Sequence, residues 1–381
     1  MSRPGPLRRL GRDERGLSIL YVTAGFLAFF IATTLAIDVG MLTTARAQAQ
    51  NAADAGALAG AIALAVDSFD DRSPGGPAVQ AAASAAGDNL VIGGDVSVEP
   101  SDVTFPAAPD GEANRVRVAV FRSAARANPL RTFISAVFGV TTVDMTAAAT
   151  AEAAPANAMT CVRPFTIPDR WTENNVPPND TFDRYDKKGA VIANADVYVQ
   201  GQNSYDPERD KGLPLTLRAG TGNNVAPTFY YSWSMPGGNG ETGAAWYRQN
   251  IAGCNQAAFV NGYVMTQEPG NMVGPTVQGV EDLIAQDPAA YWDEDERRVK
   301  SPLGRSPRIF PIPLYDPDFF QSGKMTGRIA TLTMAGWIGF FVESTRGNEV
   351  YGRITPILGT IDRDAGPAPD GTFPRAVRLV E

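Results

Sequence analysis

The order of apolar and polar positions divides the chain into stretches of different period. From Gly16 to Ile37 run 22 residues without a charge, GLSILYVTAGFLAFFIATTLAI. At about 1.5 Å per residue this reaches roughly 33 Å, enough to cross a hydrocarbon core of about 30 Å. A cleaved signal peptide would carry a shorter apolar stretch and a small-x-small cleavage site. Here the helical pattern passes through Asp38, Val39, Gly40 and Met41 without a breaker, which predicts an uncleaved membrane anchor. Residues 41–66, MLTTARAQAQNAADAGALAGAIALAV, are rich in alanine with polar punctuation. Alanine has the best helix propensity, so one rod is expected from the span to about Val66.

Beyond it, residues 67–77 read as a loop, 79–88 as a short alanine-rich helix, and 95–100 and 114–121 as period-two strands around a hairpin loop at 106–111. A short helix is expected over 129–138 with Asn128 as its N-cap, extended chain over 140–153, and a linker over 151–158. Alanine then thins while Pro, Asn, Asp and aromatics increase. The pattern gives strands near 197–200, 213–217, 229–233, 328–334 and 340–343, and helices at 244–252 and 276–285. The predicted class is α+β: a single N-terminal transmembrane helix continuing into a pilin-like long helix with a small antiparallel sheet, then a mostly β C-terminal domain. The expected divisions are 1–15, a basic tip; 16–37, the span; 38–155, the pilin-like part; and 156–381, the β-rich domain.

Along the rod, Ala45, Ala49, Ala52, Ala53, Gly56, Ala59 and Gly60 form a small-residue stripe at three- and four-residue spacing, and Gly56 with Gly60 is a GxxxG pair. Such stripes let another backbone approach closely. Either the helix packs on its own sheet, or it packs laterally on other subunits. Ala45, Ala49, Ala52, Gly56 and Gly60 are the candidate assembly residues.

Arg12-Asp13-Glu14-Arg15-Gly16, the apolar span, Ile37-Asp38-Val39-Gly40 and the run from Gln48, Gln50, Asn51 and Asp54 to Gly60 agree in order and spacing with one family. Over about residues 12–65 the chain resembles the N-terminal module of TadE/TadG-like pilus-assembly proteins. That resemblance implies a bitopic inner-membrane protein of the tight-adherence (Flp pilus) secretion apparatus. It also implies other Tad/Flp assembly proteins as partners in the membrane. Pilins processed by a prepilin peptidase usually carry Glu five residues after the processed glycine. Counted from Gly16 that position is Tyr21, which favours the anchored TadG branch over a filament subunit. Some TadG proteins carry a von Willebrand A-type domain with a metal-binding Asp-x-Ser-x-Ser motif. The nearest string, from Asp95 through Ser97 to Glu99, fails at the last serine.

Charge adds topology. Residues 1–15 hold five arginines against Asp13 and Glu14, while the whole chain carries −8. A basic tip before the span places the N-terminus in the cytoplasm and the bulk of the chain across the membrane. The acidic balance speaks against a nucleic-acid partner. The chain has no histidine, which removes Ser-His-Asp and Cys-His nucleophile systems and His-ligated metals. Cys161 and Cys254 are the only cysteines, and outside the cytoplasm they most simply form one disulfide, with two separate thiols the alternative.

The other motifs weigh toward plain readings. Gly238, Gly240 and Gly243 match GxGxxG but lack a βαβ unit with an acid about 20 residues on, so a loop is expected and no cofactor. Acids at 180, 183 and 186, at 293–296 and at 362 and 364 miss EF-hand spacing and read as solvated loops in preference to calcium sites. Glu268 with Asp282 could be imagined as a hydrolase pair, but turn formation and an N-cap at Thr276 explain the same residues. Phe229, Tyr230, Tyr231 and Trp233, with Trp246 and Tyr247, are either core or a carbohydrate-stacking face. The expectation is therefore a non-enzymatic scaffold or accessory protein without a small-molecule substrate. The alternative is an envelope adhesin, and a periplasmic hydrolase ranks last.

Overall fold

The structure, a computed structural model, describes residues 15–380 apart from 134, 221–223, 238–242, 269, 271, 326–330 and 370. Helix α1 (Arg15–Val66) is one unbroken rod of 52 residues, as the alanine-rich continuation requires. Its second half lies across an antiparallel sheet beside helix α2 (Pro77–Gly87). The sheet uses strands β1 (Val103–Thr104), β2 (Arg115–Arg122) and β3 (Met145–Pro155). In β2 the alternate residues Val116, Val118 and Val120 are buried toward the helices. In β3 the matching positions are Ala149, Ala151 and Ala153, with Val118 paired to Ala149. Alanine is a poor strand former. Here it is what lets an alanine-faced helix sit close on the sheet, so packing overrides propensity.

This corrects the linker expected at 151–158: most of it is the second half of a central strand. The helix expected over 129–138 is also absent. Leu130–Arg131 pairs with Thr142–Val143 as a hairpin, with a 3-10 turn at Ser135–Phe138 in its tip. Asn128 is not an N-cap. Its Oδ1 accepts the Ser123 amide and its Nδ2 donates to the Asp95 and Phe121 carbonyls.

The second body is built on strands β4 (Phe165–Pro168), β5 (Pro214–Ala219) and β6 (Phe229–Ser232), helix α3 (Gly243–Ala252), strand β7 (Val264–Thr266) and helix α4 (Val273–Gln286). It continues with strand β8 (Ile309–Tyr315), helix α5 (Pro317–Met325), and strands β9 (Thr331–Arg346) and β10 (Glu349–Ile354). Neighbours run β9, β8, β4, β6, β5, β10, and β10 pairs again with β9. The result is a closed six-stranded barrel, which removes its open edges. Of the stretch expected at 328–334, residues 328–330 lie outside the described residues; the rest meets the stretch expected at 340–343 in one strand, β9, whose first residues also pair with β7. Residues 197–200 are irregular and hold one isolated bridge, Thr172 to Val197. Helix α4 starts at Val273, so Thr276 lies inside the first turn and its hydroxyl donates back to the Met272 carbonyl.

The chain does not divide cleanly at 155/156. Its last strand, β11 (Arg375–Leu379), leaves the barrel body and pairs antiparallel with β3, Ala376 opposite Ala154. The first sheet is therefore β11-β3-β2-β1, its outer strand β11 drawn from far along the chain.

Candidate functional site

The residues expected to act in assembly all sit on the second half of α1. Ala45, Ala49, Ala52, Ala53, Ala57 and Ala61 are buried in one cluster with Ala78, Ala82, Ala86 and the β2 valines. At Gly56 an added Cβ would lie 2.9 Å from the Ala82 carbonyl oxygen, 3.0 Å from Ala86 Cβ and 3.2 Å from Val118 Cγ1. At Gly60 it would lie 2.8 Å from Val116 Cγ1. These glycines give α2 and β2 their seat against the rod. The stripe faces the protein's own sheet, one of the two packings that its spacing allows.

The polar punctuation fastens the same seat. Gln50 Nε2 donates to Asp54 Oδ1 at 2.9 Å and to the Ala148 carbonyl of β3 at 3.2 Å. Gln48 Oε1 accepts the Ile92 amide at 2.7 Å. Apart from Asp54, the partners of these glutamines are 44 and 98 residues away, beyond any local signal.

The first half of α1 is different. It is the one described helix long and apolar enough to cross a membrane. Ile19, Leu20, Phe26, Phe29, Phe30 and Leu35 are exposed, the surface a span presents to lipid. The far end of the rod is held by the barrel body. Lys211 Nζ donates to the Val66 carbonyl at 3.4 Å and to that of Asp67, a cation on the negative end of the helix. Burial pushes the Lys211 ammonium below its usual range. Glu208 Oε1 accepts the Phe69 amide at 2.8 Å, and the Arg375 guanidinium lies 3.8 Å from the Phe69 ring centroid. Sequence reading missed Lys211, since nothing near it marks a helix 144 residues earlier.

Cys161 and Cys254 form the expected disulfide. It borders an open cavity of about 520 Å³ whose lining includes Arg163, Leu283, Arg305, Phe310 and Ile357. Arg163 is buried, donates to the Asn250 and Gly253 carbonyls, and is pushed down to about 9 by burial. The described lining holds no carboxylate, so it offers no general acid–base pair.

The weighed motifs separate. Glu268 is buried and accepts the Ser234 hydroxyl, while Asp282 pairs with Arg248 at the surface, so each carboxylate has its own partner. Of the GxGxxG string, residues 238–242 lie outside the described residues and Gly243 opens α3. Asp183 accepts the Asn179 amide, Asp186 closes its own turn, and Asp293 with Glu296 pairs Lys300. Tyr230, Tyr231, Trp233 and Tyr247 are buried in the barrel core, with Trp233 edge-on to Phe259. They are core, and no stacking face is made from them.

No curated protein and no solved structure matches the chain. A family model does match: Tad, described as Flp pilus-assembly TadE/G-like, over residues 18–65. The matched segment is the rod alone, from the exposed apolar half through Gln48, Gln50, Gly56 and Gly60 to its last turn. Over that rod the chain is similar to the TadE/G-like Flp pilus-assembly family.

Proposed function

We propose that the protein is a non-enzymatic, single-span accessory or scaffold subunit of a Flp/Tad-type pilus assembly or secretion machine. Its N-terminus lies in the cytoplasm, its helix crosses the bacterial inner membrane, and its two bodies stand in the periplasm. The observation that carries this reading is the TadE/G-like match on a helix that runs unbroken from an apolar span into a folded outer body. Five arginines before the span and an acidic remainder support the orientation. Its partners are other pilus-assembly proteins in the membrane. The internal filling of the small-residue stripe leaves the exposed flank of α1 and the outer bodies for those partners.

Deleting the gene and imaging surface filaments by electron microscopy, beside a complemented strain, tests the reading. Loss of filaments restored by complementation supports an assembly role. Normal filaments in the deletion strain contradict it.

A further inference from the structure

Where α1 leaves the apolar run, a second part of the chain comes down beside it. Asp38 is the first charged residue after the span. Its Oδ2 accepts the Ser135 amide at 2.7 Å and the Ser135 hydroxyl, and its Oδ1 accepts the Phe133 amide at 3.2 Å. Ser135 opens the 3-10 turn at the tip of the hairpin made by Leu130–Arg131 and Thr142–Val143, and that turn packs on α1. On the covered face, Thr34 is 5 % exposed and Asp38 3 %, while Leu35, Ile37 and Val39 beside them stand open. Thr34 lies three residues inside the uncharged run, which is about 5 Å of helical rise. The hairpin tip therefore reaches past the end of the span, to a depth where a bilayer holds its headgroups and upper acyl chains.

The tip is built for that depth. Phe133 is 73 % exposed and Val140 50 %, and both flank the pinned turn. Arg131 is exposed at the base of the hairpin, where a long cationic side chain can lie along apolar surface and reach lipid phosphates. In water two such exposed apolar side chains on a loop tip would gain nothing; in the interface they are buried.

We infer that the 130–143 hairpin is a second membrane contact, inserting Phe133 and Val140 into the outer leaflet of the bilayer that α1 crosses. This rests on reading residues 16–37 as a membrane span. The occupant is lipid because the tip is continuous with the span itself, held to it through Asp38. The contact would fix the tilt and height of the outer bodies, since α1 alone leaves them free to swing about one helix.

The test uses the full chain in nanodiscs of phosphatidylcholine and phosphatidylglycerol. Its own cysteines are bridged, so a single added thiol takes an environment-sensitive fluorophore. Three variants are compared: Phe133→Cys at the tip, Ile31→Cys in the span, and Leu303→Cys, exposed on the barrel body. The inference expects the label at 133 to emit blue-shifted, to be quenched by lipids spin-labelled near the glycerol, and to be shielded from aqueous iodide about threefold relative to 303. A label at 133 that iodide reaches as freely as at 303, with 31 in lipid, overturns the hairpin contact and leaves the span standing. A label at 133 shielded from iodide but untouched by the spin-labelled lipid also overturns it, because protein then covers the tip. If 31 is itself open to iodide, the span reading fails and the inference with it. Adding Ser135→Ala to the Phe133 variant is expected to raise iodide access at 133, as the pin to Asp38 is weakened.

Discussion

Gly56 has no room for a side chain. With the Ala82 carbonyl oxygen 2.9 Å from an added Cβ and Val118 Cγ1 at 3.2 Å, Gly56→Leu must push α2 or β2 off the rod. Overpacking of this kind costs about 3 kcal/mol, read as a lower denaturation midpoint of the full chain in detergent. Loss of partner binding with unchanged stability would instead return the stripe to a subunit contact. A second residue carries a pH signature. Asp169 accepts the Arg170 amide and the Ser204 hydroxyl at 2.8 Å each, yet burial pushes its carboxyl up to about 6 from 3.8. The folded state holds this proton more tightly than the unfolded one. Its contribution is therefore fully present below the unfolded value and is lost as pH rises through about 6. Wild type is expected to lose about 3 kcal/mol relative to Asp169→Asn between acid and neutral pH. Denaturant titrations at both ends of that window check it, and parallel profiles would refute the assignment.

At the scale of elements, what the sequence made legible was what local chemistry decides. The uncharged run at 16–37 and the alanine continuation foretold α1 nearly to its last residue, because charge pattern and helix propensity act over neighbouring residues. Helices α3 and α4 and strands β5 and β6 were legible for the same reason. Strand β3 was legible only in part: extended chain was expected over 140–153, but its end from Ala151 reads as linker until a second alanine surface is laid across it. The 129–138 segment failed likewise, since its turn is set by Asp38, 97 residues away from Ser135. Of the site residues, the glycines were visible but not which face they served. The disulfide was legible from the chain's two cysteines together with the charge pattern that predicts a location outside the cytoplasm for both. It closes a loop over a separation of 93 residues, so Cys161→Ser with Cys254→Ser should lower stability by about 2–5 kcal/mol. A thermal scan of the double variant against wild type measures this. An unchanged midpoint would mean the barrel body does not depend on the bridge.

Taken as a whole, the molecule is a rod held at several heights. Its apolar half is largely exposed up to Asp38, where the hairpin is bonded to it; its middle is seated on α2 and the first sheet; its end is capped by the barrel. Strand β11 then ties the barrel body back to β3, so neither body is a bead on a linker. The cap is a lever on this coupling. Lys211→Met should remove the donor to the Val66 and Asp67 carbonyls and cost about 1 kcal/mol. Hydrogen exchange at Phe69 and its neighbours should rise while exchange in the barrel strands stays the same. Uniform acceleration throughout would show that Lys211 supports the barrel instead.

The central claim is that the outer bodies work in filament assembly only while the rod holds them on the membrane. The most direct measurement is filament counting by electron microscopy in the deletion strain, complemented either with the full chain or with residues 41–381 exported behind a cleavable signal. The account predicts filaments with the full chain and none with the released form at equal periplasmic abundance. Equal filament numbers from the released form would contradict it, since the anchor would then be dispensable.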